Sequence, residues 1–187
     1  MREVYVAGIG ITSFTRLEYP LVEIAAYPGL MALRDSGLKK IDQLYVANMG
    51  GGRVNAQTGL ASAVVDHLSL TPAGAVTIEN GPASGASAIK EGFMAVASGM
   101  HDIVMVIGAE RMREVNQLEA TDFVATLTHP LAEYIYGVTL PSLAGMFARL
   151  YMEKYGVTSR HLAMVAVKNH HNAMDNFYAH LHEEITL

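Results

Sequence analysis

The sequence predicts an α/β fold: a mixed sheet of about four strands covered by helices, with one loop excursion. Three observations carry this. Segments of strand composition alternate with segments of helical periodicity. The strand segment from Asp102 to Ala109 is almost wholly apolar, without the polar alternation of a half-exposed strand, as in sheets covered on both faces. The helical segment Pro82 to Ser98 is built largely of alanine, glycine and serine, so other backbones can come close on nearly every side. It reads as a central helix buried in a sandwich.

Taken in order, Val4 to Gly10 reads as a buried strand ending in glycines. Leu21 to Ser36 carries Leu21, Ile24, Ala25, Leu30 and Leu33 at helical spacing, with Gly37 as the stop and Pro28 as a point of breakage or late start. Gln43 to Ala47 is a second strand, followed by the loop Met49-Gly50-Gly51-Gly52. Thr58 to Leu68 reads as a helix and Ala75 to Glu79 as a third strand. Pro82 to Ser98 and the fourth strand, 102–109, complete a core over residues 1–110. Residues 111–142 are irregular, with Thr121-Asp122, Thr128-His129-Pro130 and Tyr136-Gly137, and read as a loop region. Residues 143–187 form a helical segment: Leu143 to Tyr155, closed by Gly156, and a mostly helical Ser159 to His182.

Composition narrows the function classes. Of 187 residues, 51% are hydrophobic and 17% charged, against roughly 25% charged in an average domain. Such a chain has enough apolar surface to fold, which excludes intrinsic disorder. The apolar run Ile103 to Ala109 falls far short of the roughly 18–20 residues of a spanning helix, so no membrane segment is expected. The opening Met1-Arg2-Glu3 lacks a signal-peptide pattern, and a cytoplasmic protein is expected. A net charge of −5 gives no nucleic-acid footprint. There is no cysteine, which removes disulfides, thiolate metal sites and any thiol nucleophile.

Three places could carry chemistry. Gly8-Ile9-Gly10 after a strand suggests a phosphate loop, but Ser13 stands where the third glycine belongs and no helix follows directly, so a tight turn is the better reading. His161, His170, His171, His180 and His182 read as solvated or hydrogen-bonded helix histidines and not as metal ligands; no metal is expected. The third is Thr77 to Gly85, where a strand turns sharply into the small-residue helix. Such elbows display nucleophiles, because the helix N-terminus stabilises an anion. Here the elbow carries Pro82, which suits a first helical turn but offers neither nucleophile nor amide donor. Ser84 is the nearest hydroxyl, and no activating base can be paired with it.

At this elbow the sequence resembles the thiolase superfamily, in the branch of the sterol carrier protein thiolases and archaeal acetoacetyl-CoA thiolases. Val6 to Phe14 resembles the branch's opening strand and Gly-x-Thr-x-Phe turn, and Glu79 to Gly85 its nucleophile elbow, usually Glu-Asn-x-Cys-Ala-Ser-Gly. Ala97-Ser98-Gly99 with Asp102 to Met112, Tyr155 to Thr158, and Lys168-Asn169-His170 to Ala173 resemble later segments. The resemblance implies the N-terminal half of a layered αβαβα architecture. It also implies acyl-CoA thioesters as substrates, with no tightly bound cofactor.

Two departures shape the expected function. Pro82 stands where the family has its nucleophilic cysteine, removing both the thiol and a backbone N–H of the oxyanion hole. Loss of one such donor costs ~10²–10³ in rate, and loss of the nucleophile removes the covalent route. Family members also run to about twice this length, and their second half carries further catalytic groups. The sequence therefore predicts either a fragment or a chain completed by another, with an open sheet edge and an exposed apolar face. The favoured expectation is a cysteine-independent, aldolase-like cleavage of a β-hydroxyacyl-CoA. The elbow then only shapes the pocket, and Asn80, Tyr136 and Gly137 serve as substrate contacts. The alternatives are a non-catalytic thiolase-like subunit or a truncated acetyl-CoA acetyltransferase. Expected partners are a second copy, or a thiolase-like or acyl-CoA-binding subunit.

Overall fold

The structure is a computed structural model that describes residues 1–187. The chain divides into two compact units: Met1–Thr12 with Leu17–Asn116, and Ser13–Arg16 with Gln117–Leu187.

The first unit contains α1 (Leu21–Ser36), β1 (Gln43–Ala47), the single turn α2 (Gly51–Val54), α3 (Leu60–His67), β2 (Gly74–Ile78), α4 (Ser84–Ala97) and β3 (Val104–Gly108). The strands form one parallel sheet in the order β2-β1-β3. Leu44 lies opposite Ala75 on one side and Met105 on the other, which fixes the register across the sheet. The expectation of a mixed sheet of about four strands is corrected to three parallel strands.

Strand side chains alternate between two helical layers. Leu44, Val46, Met105 and Ile107 join Leu21, Ala25, Ala26, Leu60, Ala61 and Val64 of α1 and α3 in one core. Leu44, Leu60, Val46 and Val64 are fully buried, each stabilising the fold by about 1.5–3 kcal/mol. The opposite face meets α4, where a Cβ on Gly92 would lie 2.9 Å from Val106 Cγ2. Glycine there lets helix and strand approach. Only one side of α4 is covered: Ser84, Ala88, Gly92, Ala95 and Ala97 are buried, whereas Ile89 is 64% exposed. The small residues thus serve one close contact with the sheet, and the expected burial on every side is not observed.

Two further expectations are corrected. Residues 4–10 form no strand, because no sheet strand pairs with them. The segment instead crosses α1 with Gly8 and Gly10 against the helix backbone, leaving Tyr5, Val6 and Ile9 outside. Arg2 N–H donating to Ala97 O and Ile9 N–H donating to Asp35 Oδ2 hold it. Pro28 does not break α1, which runs unbroken to Gly37 at φ +70°. Burial of Leu21, Ala25, Ala26 and Gly29 outweighs the one lost backbone bond.

The second unit holds α5 (Gln117–Ala125), α6 (Leu140–Tyr155) and α7 (Ser159–Met174), with a 3₁₀ turn at Tyr134–Tyr136. Thr139 and Ser142 cap α6 reciprocally, and Gly156 at φ +65° ends it. Neither α6 nor α7 has a buried residue. The helix expected over 159–182 stops at Met174. No helix of the chain is long and apolar enough to cross a membrane.

Candidate functional site

The candidate site lies where the three parallel strands end, the edge at which open α/β sheets present ligand-binding loops. After β2 the chain passes through Glu79 and Asn80 to Gly81, whose φ of +53° a side chain would strain. Asn80 and Pro82 form an isolated bridge, and α4 starts at Ser84. Pro82 is exposed at the mouth of this turn, without an N–H to offer.

The polar groups of the elbow are largely directed at one another. Ser84 Oγ donates to Gly81 O at 2.6 Å and accepts from Asn80 N–H at 2.8 Å. Its hydroxyl proton is thereby held by a carbonyl, and the side chain is buried. Glu79 Oε1 accepts from Gly81 N–H at 2.6 Å, and Asn80 Nδ2 donates to Ser87 Oγ at 2.9 Å. Ala83 and Ser84 N–H bond back to Asn80 O and Gly81 O. These bonds hold the turn's shape from within the chain.

A second network, absent from the sequence reading, adjoins it. Asn48, buried at the end of β1, donates its backbone N–H to Ile78 O of β2 and its side-chain amide to Ala109 O beyond β3. Its Oδ1 accepts from Gly51 N–H at 2.8 Å. The Glu110 carboxylate takes Asn48 Nδ2 at 3.1 Å and Met49 N–H at 2.9 Å, and also reaches Gly50 N–H. A Cβ on Gly51 would collide with Asn48 Oδ1, so glycine at that position has a steric cause. The available signal was that stretch after β1 together with a lone acid just after β3.

The structure brings Asn80, Pro82 and Ser84 together on one turn in the first unit. Tyr136 and Gly137 belong to the second unit. Tyr136 is 76% exposed, and Gly137 turns the chain at φ +76°. The histidines lie away from the elbow in sequence and bond to protein groups: His161 Nδ1 accepts from Thr158 N–H at 3.0 Å.

The family described as "Thiolase, N-terminal domain" matches residues 8–186. An acetyl-CoA acetyltransferase of Methanothermobacter thermautotrophicus is 40% identical across the whole chain, which spans 49% of that protein. Sterol carrier protein 2 of Gallus gallus is 29% identical, again across the whole chain and 36% of its own length. The solved Ltp2-ChsH2(DUF35) aldolase superposes with a TM-score of 0.73 at 26% identity, over 96% of this chain and 46% of that one. The chain thus spans about half, or less, of the relatives it matches.

Proposed function

The chain belongs to the thiolase family, whose N-terminal domain it carries, and we propose that it forms the elbow-bearing half of an acyl-CoA site that works without a covalent acyl-enzyme. The observation that carries the reading is the elbow itself. Pro82 supplies no thiol and no N–H, and the Ser84 hydroxyl is spent on Gly81 O and Asn80 N–H. Neither Pro82 nor Ser84 is poised to take an acyl group.

The reaction that suits such a site is retro-aldol cleavage of a β-hydroxyacyl-CoA. A base takes the β-hydroxyl proton, the Cα–Cβ bond breaks, and its electron pair enters the thioester as an enolate. Protonation at Cα then releases a shortened acyl-CoA and a carbonyl compound. In this reading Asn80 and the Pro82 ring shape the pocket, and further polypeptide supplies the acid/base. The likeness to a solved aldolase supports this reading. The acyl-CoA substrate, the partner polypeptide and a cytoplasmic setting are parts of the same proposal.

A second reading rests on α6 and α7. Thirty-two helical residues without a buried side chain, bearing exposed Phe147, Leu150 and Val165, suit a subunit that another polypeptide covers. That chain would complete an acetyl-CoA acetyltransferase or serve a structural role only. Product analysis with a β-hydroxyacyl-CoA, and separately with a β-ketoacyl-CoA plus free CoA, separates these. Release of a carbonyl compound from the first supports the proposal, and thiolysis of the second contradicts it.

A further inference from the structure

A concavity of about 350 Å³ opens in the first unit where the chain enters β1 and β2. It precedes Gln43 and Gly74, at the amino ends of the parallel strands, whereas the elbow follows Ile78 at their carboxyl ends. At about 3.3 Å per residue, strands of five residues put roughly 13 Å of sheet between the two places.

The walls of the concavity are fixed. Gly74 N–H donates to Asp42 O at 2.9 Å and ties the two approaches together. Ser69 stands at φ +55°, a left-handed conformation that non-glycine residues seldom adopt. Its turn is held by Ser69 N–H donating to Asp66 O, Leu70 N–H to Val65 O and Ala73 N–H to Leu70 O, at 2.9–3.0 Å. Backbone strain held in this way is a pointer to function. Ile41 and Leu70, both buried, give an apolar floor.

The rim is polar and its donors are unspent. Lys39 and Lys40 are exposed and form no ion pair. The Ser69 and Thr71 hydroxyls and the Thr71 N–H have no hydrogen-bond partner in the chain. Asp42 also lines the concavity, but its Oδ2 already accepts Asp102 and Ile103 N–H at 2.9 Å. Two lysines against one aspartate leave the lining positive, in a chain whose net charge is −5.

We propose that this concavity binds a small phosphate monoester, at a site separate from the elbow. A phosphate group offers only acceptors and about two negative charges, which match paired ammoniums flanked by hydroxyl and amide donors. Lysine serves phosphate as a point charge. The volume falls within the roughly 300–1,000 Å³ of small-molecule pockets, more than a bare phosphate fills. The apolar floor therefore takes the organic body of the ligand.

The test is titration of the 187-residue chain with 5′-AMP, followed by backbone amide chemical shifts. Shifts are expected at residues 39–42 and 69–73, with a Kd of roughly 1 mM or tighter. Adenosine, which lacks the phosphate, should bind about tenfold more weakly. Inorganic phosphate, which lacks the body, should bind about threefold more weakly. The double variant K39Q with K40Q should weaken AMP about tenfold. Its urea midpoint should not move, since both side chains are exposed and unpaired. Shifts centred elsewhere, none by about 10 mM AMP, or full affinity in the double variant would overturn the proposal. So would adenosine or inorganic phosphate binding as tightly as AMP.

Discussion

Asn48 and Glu110, 62 residues apart in sequence, meet at 3.1 Å between Nδ2 and Oε1, and through this pair the ends of β1 and β3 are fastened beside the elbow. Asn48 is buried and makes four hydrogen bonds, one of them to Ile78 O of β2, so a single side chain and its amide join all three strands. Replacing it by alanine strands Ala109 O and Gly51 N–H. Asn48→Ala is expected to destabilise the chain by about 1–3 kcal/mol, read as a lower urea midpoint.

Gly92 sets how closely α4 approaches β3. A Cβ there would already stand 2.9 Å from Val106 Cγ2 and 3.4 Å from Val104 Cγ1. Gly92→Val adds two further methyls to that contact. It should cost about 1–3 kcal/mol in urea unfolding, despite relieving the helix of a glycine. The exposed Gly85→Ala, with open space at its Cβ, should be neutral or mildly stabilising and serves as the control.

Asp42 contributes to stability on the acid side. Its Oδ2 accepts both Ile103 and Asp102 N–H at 2.9 Å, and these bonds, Ile103 first, hold its pKa below the ordinary carboxylate value. A depressed carboxyl pKa contributes above the unfolded value and is lost as pH falls through the folded one. Stability measured by urea midpoint should therefore drop below about pH 4, and Asp42→Asn should flatten that drop.

Pro82 tests what the elbow can do. In Pro82→Cys, a thiol and an N–H return at the start of a 14-residue helix. The helix N-terminus favours the thiolate, so iodoacetamide labelling should titrate below the ordinary thiol pKa of about 8.5. Thiolysis by the 187-residue chain alone should not appear, because the acid/base groups are proposed to come from further polypeptide.

The part of the fold legible in the sequence was the part governed by local pattern. β1 falls on Gln43–Ala47 as read, and Gly37 and Gly156 stop their helices at positive φ. Errors arose where long-range contact overruled that pattern. Pro28 stays helical because α1 is pinned to the sheet, and Val4 to Gly10 looks like a strand but finds no strand to pair with. The elbow was located from Asn80, Pro82 and Ser84, since a strand, a glycine turn and a small-residue helix are contiguous. The engagement of the Ser84 hydroxyl, and the Asn48–Glu110 pair across 62 residues, depend on three-dimensional approach that no spacing rule encodes.

The most direct test of the proposed cysteine-independent cleavage is product analysis of C–C cleavage by the chain together with the further polypeptide proposed to complete its site. The substrates are a β-hydroxyacyl-CoA and, separately, a β-ketoacyl-CoA with free CoA. A carbonyl compound and a shortened acyl-CoA from the hydroxy substrate, with no thiolysis of the keto substrate, is expected. Thiolysis of the keto substrate through a covalent acyl-enzyme would contradict it.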